Sequence, residues 1–200
     1  MVLVAALAGH GLGSSIISHT QFVADGRSFT AHQKLARHPD LSSVGVVEGA
    51  DHQKRIYMAA SGTYIGKNFV LTAAHLAVND FGEEADPRVF RFRVRSGDLL
   101  RDFKGIRWHV IDVYKRERAK RAGFTFEQVW GDIAVLEVEG LPSNQGVNPP
   151  SYLGRAVNIA DTVLYVGYGD RGTNELDPGS AGFGRGAKDR FPTPLAFFSR

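Results

Sequence analysis

The 200-residue chain contains no cysteine. Disulfides, thiolate metal sites and a cysteine nucleophile are therefore excluded, although the absence does not fix a compartment. Long apolar runs are missing too. No stretch approaches the ~20 apolar residues of a membrane-spanning helix, so no membrane partner is expected. A large excess of one sign of charge is also missing. The 24 Lys and Arg stand against 21 Asp and Glu, and a net charge of +3 is too mild to imply nucleic acid. The seven histidines are scattered, with no His-Glu-x-x-His or other ligand spacing. No metal and no cofactor are expected from them.

What remains is ordinary globular material, 43% hydrophobic and 22% charged, which excludes wholesale disorder. The 23 glycines suit a loop-rich, all-β protein. Residues 1–8, MVLVAALA, carry the apolar part and small-residue end of a secretory signal but no basic start. Residues 1–40 are read as a possible signal or pro-segment. Short apolar or β-branched stretches then follow at close spacing: 44–47, 56–60 and 63–65 on either side of Ser61-Gly62, and 69–71. Residues 88–95 give the cleanest period of two, with Phe90, Phe92 and Val94 alternating with Arg91, Arg93 and Arg95. Residues 106–114, 133–138 and 162–168 read as further strands, 73–78 as a helical turn or loop, and 141–150 as a linker. Many short strands argue for a barrel or sandwich.

Three pieces carry chemistry, in a fixed order. Ser61-Gly62-Thr63 precedes Leu71-Thr72-Ala73-Ala74-His75; Gly131-Asp132-Ile133-Ala134-Val135-Leu136 follows, then Val166-Gly167-Tyr168-Gly169. A lone Asp heading an apolar strand is costly to bury unless paired, and a histidine N–H is a suitable partner.

These residues resemble the trypsin/chymotrypsin-like serine proteases over roughly residues 40–170. The resemblance implies an all-β, Greek-key double β-barrel: a first barrel at 41–140, the linker at 141–150, and an incomplete second barrel with a Gly-rich tail at 151–200. It implies a serine endopeptidase acting on polypeptides, with His75 as the general base and Asp132 as the carboxylate that orients it. An extracellular or periplasmic monomer is expected.

The family's Gly-Asp-Ser-Gly-Gly-Pro nucleophile motif is absent. Ser180, in Asp177-Pro178-Gly179-Ser180-Ala181-Gly182, echoes it only faintly. Pro178 and Gly179 replace the residues before the serine, and Ser180 follows Gly169 too closely for barrel strands to intervene. Ser180 is therefore not assigned as the nucleophile. The expectation is a truncated or frame-shifted piece, inactive as written; the alternative is a non-catalytic, protease-like binding module. The basic run 115–121, with Arg91, Arg93 and Arg95 beside it, is a weaker candidate for polyanions and reads first as a solvated loop or short helix.

Overall fold

The computed structural model describes residues 2–5, 15–17, 34, 38–51, 53, 56–79, 81–120, 131–140, 142–151, 163–168, 171–173 and 195–199. In chain order the strands are β1 (Val2–Ala5), β2 (Ser15–Ile17), β3 (Val44–Ala50), β4 (Ile56–Gly66), β5 (Phe69–Thr72), β6 (Phe90–Ser96), β7 (Leu99–Val110), β8 (Ala134–Val138), β9 (Val163–Gly167), β10 (Arg171–Thr173) and β11 (Leu195–Ser199). One α-helix, α1 (Asp112–Lys120), lies between β7 and β8 among the described residues.

Six antiparallel strands close into a barrel in the order β3-β4-β5-β8-β7-β6. Closure follows from sequence periodicity. Phe90, Phe92 and Val94 of β6 point inward, as do Ala134, Leu136 and Val138 of β8, each alternating with partly exposed neighbours. The interior is filled by aromatic pairs: Phe90 meets Trp108 edge-on at 5.1 Å, and Phe92 stacks on Phe103 at 6.3 Å. Outside the barrel, β9 pairs in parallel with β1 and antiparallel with β11, while β10 pairs with β2. The all-β, trypsin-like fold class is thus observed, with its first barrel closed.

Three local expectations are revised. The residues on either side of Ser61-Gly62 belong to one continuous strand, β4, rather than two. Gly62 is an inward close-approach position: a Cβ there would come within 2.8 Å of Val47 and 2.9 Å of Val70. Residues 106–114 are not all strand, because β7 ends at Val110 and α1 begins at Asp112. Tyr114 turns inward from the helix and is buried there. The basic run is helical as far as Lys120 and only partly solvated. Arg118 is buried, Lys115 Nζ lies 2.6 Å from Glu84, and Lys120 Nζ lies 3.1 Å from Glu117.

The outer face of β6 is no bare cationic stripe either. Arg93 bridges Asp102 at 2.7 Å and Glu48 at 3.1 Å. Burial works against the Arg93 charge. The hydrogen bond and charge of Asp102, followed by Glu48, outweigh it and hold the guanidinium pKa above its ordinary value.

Candidate active site

The ladder between β5 and β8 decides where the site forms. Its last pair is Thr72 with Ala134. The chain leaves β5 just beyond Thr72 and enters β8 just before Ala134, so both open segments lie at the same barrel end. His75 sits on the outgoing segment and Asp132 on the incoming one.

Each segment presents its side chain for a local reason. Residues Ala74–Leu76 form a 3-10 turn, closed by the Ala77 N–H donating to the Ala74 carbonyl at 2.9 Å. Ala73, Ala74, Leu76 and Ala77 are all buried, and the three small alanines let the turn pack tightly while His75 faces the edge. On the other side the Ile133 N–H donates to the Gly131 carbonyl at 2.8 Å, a three-residue turn centred on Asp132. Gly131 rests near the Tyr114 ring.

Both Asp132 oxygens engage His75. Oδ1 accepts the His75 backbone N–H at 2.7 Å, and Oδ2 lies 2.8 Å from ring Nδ1. The side chains are 12% and 8% exposed, so the pair is shielded from water but reachable at one edge. A carboxylate accepts only, so the proton of this contact resides on Nδ1. In the neutral ring Nε2 is then the acceptor nitrogen, the arrangement required of a general base.

Two further hydroxyls brace the site, and sequence reasoning quoted them without seeing their work. Thr72, fully buried, donates to the Ser61 carbonyl at 2.9 Å. Ser61 Oγ accepts the Tyr168 N–H at 2.7 Å and donates to the Tyr168 carbonyl at 3.2 Å. Gly167 permits this approach, since a Cβ there would stand 2.9 Å from Ser61 Oγ. The strand leading to His75 is thereby tied to the Gly167-Tyr168 segment.

Ser180 lies outside the described residues. Among the described residues, no group of three or more His, Asp or Glu side chains is placed to hold a metal ion. No described helix is long and apolar enough to cross a membrane.

No curated protein matches this chain in sequence. A family model described as Trypsin matches residues 43–181, more than half of the chain and the span that holds both His75 and Asp132. The chain belongs to the trypsin family.

Proposed function

We propose that the chain carries the base-and-carboxylate half of a serine endopeptidase. His75 Nε2 would take the serine proton as the hydroxyl attacks a peptide carbonyl, and return it to the leaving amine. Asp132 would hold the Nδ1 tautomer and stabilise the imidazolium. The observation that carries this reading is the double engagement of His75 by Asp132, at ring and backbone. A proton shuttle needs its tautomer fixed in this way, so that the other ring nitrogen is free to accept. The substrate would be a polypeptide, met by a monomer outside the cell or in the periplasm.

We propose also that the 200-residue polypeptide does not turn over by itself. It contains no Gly-Asp-Ser-Gly-Gly-Pro sequence. Without a nucleophile, base and carboxylate have nothing to activate, and only residual catalysis from binding would remain. The test is peptide-ester hydrolysis combined with labelling by a serine-directed fluorophosphonate. No turnover and no adduct is the expected result. An adduct on Ser180 would overturn it.

One observation favours a second reading, a non-catalytic binding module. The barrel that carries His75 is closed, so none of its strands presents an unpaired edge. A monomeric protein with one cooperative melting transition would support this reading; aggregation would oppose it.

A further inference from the structure

We propose that a cavity on the barrel's outer side, beside Tyr168, binds a small organic carboxylate with a flat apolar body. The cavity has a volume of about 240 Å³ and is reached by four separate chain segments. It falls below the ~300–1,000 Å³ usual for drug-sized ligands, which limits the occupant to a small molecule. Leu41, Val44 and Tyr168 line it, and all three are buried. Its polar side chains are Arg95, His38, Ser42 and Asn148. None of the lining residues belongs to the His75–Asp132 pair, and the inference does not rest on the protease reading.

Arg95 is the decisive group. Along the same face of β6, Arg93 is neutralised by two carboxylates. Arg95 is half-buried at the cavity wall, yet it makes no ion pair and no side-chain hydrogen bond among the described residues. No Asp or Glu lines the cavity among the described residues. Asp40, beside the lining residue Pro39, lies against His38, 3.5 Å from its Nδ1. That Nδ1 also accepts the Asp40 backbone N–H at 3.3 Å, which places the proton of a neutral ring on Nε2 as a second donor. A guanidinium, an imidazole N–H and an amide around apolar walls fit a carboxylate on an aryl or short alkyl body. The phenol of Tyr168 donates weakly to the Val44 carbonyl at 3.5 Å, so its ring forms part of the wall.

The occupant would also act at a distance. Tyr168 is latched to Ser61 through both of its backbone groups. A ligand seated against the Tyr168 ring would hold that latch closed.

The experiment is calorimetric and NMR titration of the full 200-residue chain with benzoate, and in parallel with benzamide, its uncharged isostere. Saturable benzoate binding is expected, with the Tyr168 amide protected further from exchange. Benzamide should bind about tenfold more weakly, and Arg95→Gln should weaken benzoate by about the same factor, since a hydrogen bond to a charged group is being removed. Arg95→Gln should melt like the parent, because Arg95 has no side-chain partner to lose among the described residues. Equal affinity for the two probes, unchanged benzoate affinity in the variant, or no saturable binding would each overturn the proposal.

Discussion

Asp132 grips His75 twice, with one oxygen on the imidazole and the other on the histidine's own backbone N–H. The two contacts have separable effects. The ring contact sets where the proton sits, and the backbone contact sets where the residue sits. Asp132→Asn should keep the second, with the amide oxygen still accepting the His75 N–H. It should reverse the first, because an amide NH2 facing Nδ1 donates. Imidazole ¹⁵N shifts should report the neutral proton moving from Nδ1 to Nε2. Asp132→Ala loses both contacts and should cost about 2–3 kcal/mol in denaturant unfolding. An unchanged tautomer in the Asn variant would show that Asp132 does not direct the ring.

The Ser61–Tyr168 latch should be measurable in the same way. Ser61→Ala leaves the buried Tyr168 N–H and carbonyl without their hydroxyl partner, at a cost of about 1–3 kcal/mol. The Tyr168 amide should exchange markedly faster, while amides of β5 and β8 keep their protection. Uniform acceleration across the barrel would mean global destabilisation and no local latch.

Glu48 and Arg93 should show an asymmetry. Glu48 is 1% exposed and Arg93 is 20% exposed. Arg93→Ala strands a buried carboxylate and should cost about 3 kcal/mol, the lower end for a broken buried pair. Replacing both residues together, as Glu48→Gln with Arg93→Met, should cost less than the single change. Chemical denaturation of the three proteins decides it.

Gly62→Ala should be among the most harmful small substitutions. The added methyl meets Val47 and Val70 in a filled interior and should cost about 1–3 kcal/mol. The same change at Gly97, where a Cβ meets nothing within 4 Å, has no clash to relieve, although its φ of 59° carries strain of its own. The thermal melt of Gly62→Ala should therefore show the broader loss of packing.

Acid dependence has one assigned contributor outside the site. The side chain and then the backbone N–H of Arg88 bond to Asp86 and hold its carboxyl below its ordinary value of 3.8. A folded-state value depressed in this way stabilises the fold above the unfolded pKa. The contribution fades as pH falls through the folded one. Asp86→Asn should flatten that part of the acid limb and lower stability at neutral pH by the same amount, which is small because the pair is exposed. An unaltered acid limb would show that Asp86 does not contribute to it.

The sequence was most legible where one residue type does one job. The Phe90-Phe92-Val94 alternation declared the β6 inner face, and the Ala73-Ala74-His75 and Gly131-Asp132 segments declared residues that the structure brings together. It was least legible where a residue's meaning depends on a distant partner. Gly62 looked like a break between strands because its crowding comes from Val47 and Val70 across the sheet. Tyr114 looked like strand because its β-branched and aromatic neighbours outweighed the charged run that follows; the helix already begins at Asp112, ahead of that run. Ser61 looked like part of a motif, but its hydroxyl serves Tyr168, more than a hundred positions away in the chain.

Closure of the barrel has a kinetic consequence. The β4–β5 and β6–β7 pairs join neighbouring segments, but β5 must find β8 across a long intervening stretch, and β3 must find β6. Such non-local pairings bear the loop-closure entropy and set the pace of folding. His75 and Asp132 meet only where β5 and β8 meet. Their contact therefore forms only as β5 and β8 pair, and the imidazole Nδ1–H held by Asp132 is a natural stopwatch for barrel completion during refolding.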